Sequence, residues 1–159
     1  MITRSREIAA LLGLGLAAAT VAGCAASSSN HASTADLAKR YLAIATPANR
    51  VLDTSFDALE DADDDLSAAS VLLQTIVSTE RGFDRELLDL KLPSKMGATA
   101  IELVRVNEAR ADLTAQAASA TSLARLRHLE PELDAMNAPV EAQVRVLRKA
   151  LGLPPPDTD

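Results

Sequence analysis

Tryptophan is absent from this 159-residue chain, and Tyr41, Phe56 and Phe83 are its only aromatic residues. Sites that stack bases or sugar rings usually need more flat faces than this. Histidine occurs only at His31 and His128, and cysteine only at Cys24, so no zinc or haem ligand set can be assembled. A serine or cysteine hydrolase needs a nucleophile beside a base. His31 sits in a Ser-rich stretch with no second ligand near, and His128 lies among Arg127, Leu129 and Glu130 on an expected helix. No strand-turn-helix elbow surrounds any serine. The six glycines are scattered and form no phosphate-binding loop. The Glu-x-x-His pairs of di-iron bundles are missing as well. The expectation is therefore a protein that is not an enzyme and carries no cofactor and no metal.

Basic charge is also in short supply. The net charge is −6, which argues against nucleic acid as a partner, where a basic face is the electrostatic requirement. It argues equally against electrostatic adhesion to anionic lipid. One acidic cluster imitates a metal loop. Asp61-x-Asp63-x-Asp65 matches the first three ligand positions of a calcium loop, but Leu66 stands where glycine should turn the chain and Leu72 where a bidentate Glu is needed. The acids read better as a loop favouring the N-terminus of the next helix.

What the chain does have begins at its start. Arg4 and Arg6 precede an uncharged run, Ile8 to Ala22, rich in Ala, Leu and Gly. That run is too short to span a bilayer, which takes about 20 apolar residues. A charged start, a short apolar stretch and small residues at its end make a secretory signal peptide. The sequence Val21-Ala22-Gly23-Cys24 resembles the lipobox of bacterial lipoproteins. The resemblance implies lipid transfer to the Cys24 thiol, cleavage before it, and diacylglyceryl-Cys24 as the mature N-terminus. It then implies a cell-membrane, extracytoplasmic location, with the membrane as a partner through the anchor. Two acyl chains suffice for stable attachment, each buried methylene adding about 0.8 kcal/mol. Loss of residues 1–23 would remove Arg4, Arg6 and Glu7 and leave a net charge of −7. With Cys24 acylated no disulfide remains, so packing alone must hold the fold. Residues 25–159, rich in Ala, poor in Lys and acidic, resemble in style the small uncharacterised helical lipoproteins of high-GC actinobacteria, with no motif behind the likeness.

After residues 1–23 as signal peptide, residues 24–33 read as lipidated cysteine and flexible tether. Ser-rich linkers behave as random coil, so nine residues hold a domain roughly 15–18 Å from the membrane. From Thr34 to Ala62, apolar residues recur in steps of three and four, with Ser33 or Thr34 as N-cap. Pro47 interrupts that stripe without shifting its phase, giving one bent helix or two collinear pieces. Leu66 to Lys91 is the clearest helix, with the seam Leu66, Ala69, Leu73, Ile76, Glu80, Phe83, Leu87 and Leu90. Leu92-Pro93-Ser94 stops it and supplies Ser94 as the next N-cap. A third stripe runs from Lys95 to about Thr121, and a fourth from Leu123 to Leu151, interrupted by Pro131 and Pro139. Gly152 with Leu153 suits a C-terminal cap, and three prolines forbid continuation.

Four segments joined by short turns predict an all-α fold, an antiparallel up-down-up-down four-helix bundle over residues 34–152. Residues 153–159 are expected to be a disordered Pro-rich tail. Leu73, Phe83, Leu133 and Leu147 should contribute most of the burial, since the remaining seams are rich in Ala. One constellation stands out: Glu80, Asn107, Arg110 and Asn137 fall at similar height on their stripes, near the bends at Pro47 and Pro139. It reads either as a partly exposed Glu80–Arg110 ion pair with two asparagines setting register, or as a ligand layer. The leading functional expectation is a non-enzymatic, membrane-anchored interaction or envelope-structural module with an unknown protein partner. The alternative is small-ligand sensing or binding through that mid-bundle polar layer. A closed apolar core favours the first, and a cavity edged by Glu80 and Arg110 the second.

Overall fold

The computed structural model describes residues 32–62 and 64–156. The expected signal peptide, the expected lipobox with Cys24, and all but the last two residues of the expected tether lie outside these. Among the described residues every regular element is a helix: α1 Thr34–Asp61, α2 Leu66–Asp89, α3 Ser94–Ala118, α4 Leu123–Ala135 and α5 Asn137–Ala150. The fold is all-α.

Local chemistry fixes most helix ends. Ser33 caps α1 by accepting from the Asp36 N–H at 3.1 Å, while its hydroxyl donates to Asp36 Oδ2 at 2.8 Å. Pro47 sits inside α1, which runs on as one helix. Asp65 accepts from the Ser67 and Ala68 N–H groups at 2.9 and 3.0 Å, so this acid of the Asp-rich loop serves as the N-cap of α2. Ser94 departs from expectation. It is the first residue of α3 rather than its cap, because Pro93 already occupies the cap position with extended backbone. The α3–α4 turn falls at 119–122, where Ser122 accepts from the Arg125 N–H at 3.2 Å.

The fourth stripe is two helices. Met136 separates α4 from α5, three residues before Pro139, whose missing N–H leaves the Ala135 carbonyl without its helical donor and whose ring crowds it. Pro131, by contrast, stays within α4. At the end of α5, Gly152 takes φ +70°, its N–H donates to the Lys149 carbonyl at 3.1 Å, and the Leu153 N–H donates to the Arg148 carbonyl at 2.9 Å. This is a Schellman cap. The expected disordered tail is corrected for residues 153–156. The Pro154 carbonyl accepts from Arg148 Nε at 2.8 Å and Pro156 is buried, so the run of prolines is pinned across α5. Residues 157–159 lie outside the described ones.

In the packing, α3 lies against α2, α4 and α5, while α1 lies against α2; α1 and α5 are not among the closely packed pairs. Facing residues on α2 and α3 run in opposite directions, from Ser70 Oγ donating to the Ala118 carbonyl (2.6 Å) to Asn107 Nδ2 donating to Asp84 (3.0 Å). Two apolar clusters result. One joins Leu37, Tyr41, Leu87, Leu103, Val144 and Leu147, and the other joins Leu59, Leu73, Ile76, Ala117, Leu126 and Leu129. Leu73 and Leu147 are buried as expected, each such side chain contributing about 1.5–3 kcal/mol. Phe83 and Leu133 are only partly covered. Phe83 instead meets Tyr41 edge-on, ring centroids 6.2 Å apart, joining α2 to α1. Along the helices, the stretch between the two clusters is polar.

Candidate functional site

That polar stretch is built by residues one turn apart on neighbouring helices. Glu80 and Asp84 lie four apart on α2 and so share a face, as do Asn107 and Arg110, three apart on α3. All four are buried. Arg110 Nη2 lies 2.8 Å from Glu80 Oε1 and donates to Asn107 Oδ1, also at 2.8 Å. Asn107 Nδ2 in turn donates to both Asp84 carboxylate oxygens at 3.0 Å. The asparagine amide is oriented by its neighbours, oxygen toward the cation and nitrogen toward the carboxylate.

Burial sets the electrostatics. It pushes the Glu80 carboxyl above its ordinary range against the pull of the Arg110 guanidinium. Asp84 has only an amide donor on its carboxylate, so burial carries it to about 7, with the Glu80 charge adding to the rise. The chain of contacts is incomplete: Glu80 Oε2, Arg110 Nε and Arg110 Nη1 are buried without a hydrogen-bond partner. Such orphaned groups are rare in folded proteins and each carries a desolvation cost.

Beside these groups lies a cavity of about 40 Å³. Glu80, Asn107, Arg110 and Asn49 form its polar edge, and Tyr41, Leu52, Phe83, Leu103, Val140 and Val144 its apolar walls. Its lining is drawn from α1, α2, α3 and α5, and includes Ala48 and Val140, the residues that follow Pro47 and Pro139 in sequence. At about 10–15 Å³ for each water-sized occupant it has room for about three. On the opposite side of the α2–α3 seam a shallow groove holds Arg81 and Arg85. There Arg81 is engaged by Glu108 at 2.8 Å and Asp112 at 2.6 Å.

Three of the four residues singled out in the sequence, Glu80, Asn107 and Arg110, meet in this layer, and as a buried group rather than a partly exposed ion pair. Asn137 does not join them. It is the first residue of α5, half-buried, with Oδ1 unpartnered, and the α5 wall of the cavity begins one turn later at Val140. The sequence missed Asp84, because the apolar Phe83 beside it was read as the seam position; the seam runs through Asp84, 4 % exposed. It also missed Asn49 and Arg148. The Arg148 side chain is 1 % exposed and its Nη1 has no partner. It lies beside Tyr41, whose hydroxyl burial pushes up to about 12 while the guanidinium pulls it down. Among the described residues no cluster of three His, Cys, Asp or Glu side chains is arranged to hold a metal. No helix among them is long and apolar enough to cross a membrane.

No family model matches the chain, and neither does any curated protein or solved structure.

Proposed function

We propose that this chain is a lipid-anchored, extracytoplasmic module whose helices form an antiparallel up-down-up-down bundle, and that it binds a small ligand between those helices without acting as an enzyme. The anchor rests on Val21-Ala22-Gly23-Cys24 following a signal-like start. The bundle ordering is supported by the two clusters. One joins the starts of α1 and α3 to the end of α2 and to α5, and the other joins the ends of α1 and α3 to the start of α2 and to α4. Residues 34–152 make the bundle in this reading, with the membrane as the first partner through the acyl chains.

Ligand binding is carried by one observation: a cavity edged by a buried Glu80–Arg110 pair that retains unpartnered atoms. The absence of catalysis is supported by how the ionisable groups are engaged, Glu80 by Arg110 and Asp84 by Asn107. His128 stands apart from the layer, exposed on α4.

Two experiments test this. Mass spectrometry of the native polypeptide should find a diacylglyceryl group on Cys24 and no residues before it, and Cys24→Ser should release the protein from membranes. An unmodified thiol, or undiminished membrane attachment of the variant, sinks the anchor. For binding, a fragment screen read by the Val140 and Val144 methyl resonances should give saturable shifts. A screen that moves neither methyl returns the module to the structural or protein-docking role.

A further inference from the structure

The unpartnered atoms at the cavity edge specify more than the presence of a ligand. Glu80 Oε2 is an acceptor without a donor, while Arg110 Nε and Nη1 are donors without acceptors. A molecule that completes the layer must therefore both give and take a hydrogen bond. The charges at the edge already oppose one another, with Arg110 Nη2 on Glu80 Oε1 at 2.8 Å. An incoming anion would meet the Glu80 carboxylate. An incoming cation would meet Arg110. Buried charge is costly unless matched, so neither sign gains from this site.

The rest of the wall limits shape. Leu103, Val140 and Val144 offer only hydrocarbon, and a volume of about 40 Å³ admits a body of a few heavy atoms. We infer that the cavity takes small, neutral molecules of the primary-amide class, whose N–H donates to Glu80 and whose carbonyl accepts from Arg110, with a short aliphatic end against Val140 and Val144. This deepens, and rests on, the ligand-binding reading above. Asn107 is the positioning residue. Held by Asp84 on one side, it fixes Arg110 from the other and keeps the guanidinium edge in place before anything binds.

The test titrates the full chain with three near-isosteric probes, acetamide, acetate and acetamidinium, following the Val140 and Val144 methyl signals and the Arg110 Nε–H signal. With four heavy atoms, affinity is limited to the tens of micromolar at best, so direct titration is the suitable measurement. The expected result is a saturable shift with acetamide, at least tenfold weaker shifts with the two ions, and roughly tenfold weaker acetamide binding in Glu80→Gln. Val144→Phe, which fills the space, should abolish the acetamide response while the helical circular dichroism is retained. Acetate or acetamidinium binding more tightly than acetamide overturns the amide class and leaves ligand binding standing. No saturable shift with any of the three overturns both.

Discussion

Glu80 and Arg110 meet at 2.8 Å with side chains only 2 % and 7 % exposed, so an ion pair that helix periodicity would allow at a seam edge is sealed inside the protein. Its energetics are those of buried pairs, where desolvation rivals the Coulomb gain.

Removing one partner should therefore be worse than removing both. Glu80→Leu leaves Arg110 buried and unmatched, and is expected to cost about 3–5 kcal/mol, whereas the double change Glu80→Leu with Arg110→Leu should be near neutral or stabilising. Urea unfolding of the three proteins measures this. A single variant as stable as the native chain would show that Arg110 escapes to water.

Asp84 gives a pH signature. Its carboxyl is raised to about 7 in the fold from an ordinary 3.8. The folded state then holds a proton that the unfolded chain has released, and stability falls as pH rises through the window from about 4 to about 7. The slope is at most about 1.4 kcal/mol per pH unit. Below pH 4 both states are protonated and this contribution is fully present. Asp84→Asn should flatten that slope. Stability that rises across the window in the native chain, with the same rise in the variant, would show that Asp84 holds no such proton.

Two glycines should respond in opposite directions. Gly152 holds φ +70°, and a Cβ there meets nothing within 4 Å, so Gly152→Ala costs only backbone strain, about 1–2 kcal/mol. Gly82 lies inside α2, and a Cβ added there would find Arg85 Nη2 no closer than 4.0 Å, so Gly82→Ala should stabilise by about 0.5–1 kcal/mol. Thermal melts should place the two variants on either side of the native midpoint. A Gly152→Ala midpoint at or above the native one would contradict the cap at the end of α5.

Leu73 is 4 % exposed and Val71, two residues away on the same helix, is 61 % exposed. Leu73→Ala is expected to cost about 2–5 kcal/mol, and Val71→Ala to stay within about 0.5 kcal/mol of native. Equal losses would mean that α2 is rotated about its axis.

The helices were legible because their apolar residues repeat in steps of three and four, and several ends because Ser33, the Asp-rich loop before α2 and Gly152 carry the capping chemistry that chain ends need, whereas the α3–α4 turn, without Gly or Pro, was not. The polar layer was half legible. Glu80, Asn107 and Arg110 were visible as polar breaks in apolar stripes, whereas Asp84 was hidden by its neighbour Phe83, which hydrophobicity alone prefers as a seam residue. The break at Met136 was foreshadowed by Pro139, but Pro47 and Pro131 are tolerated inside helices, and periodicity alone does not distinguish them. Arg148 was invisible for a different reason. Its burial depends on residues 153–156 folding back, and three successive prolines announce only the end of a helix.

Leu37, near the first described residue, and Leu151, near the last, belong to the same apolar cluster. The start of α1 and the segment just past α5 thus share one apolar environment. A circular permutant that joins the two ends through a short Gly-Ser bridge and opens the backbone at 119–121 keeps every helix and both clusters intact.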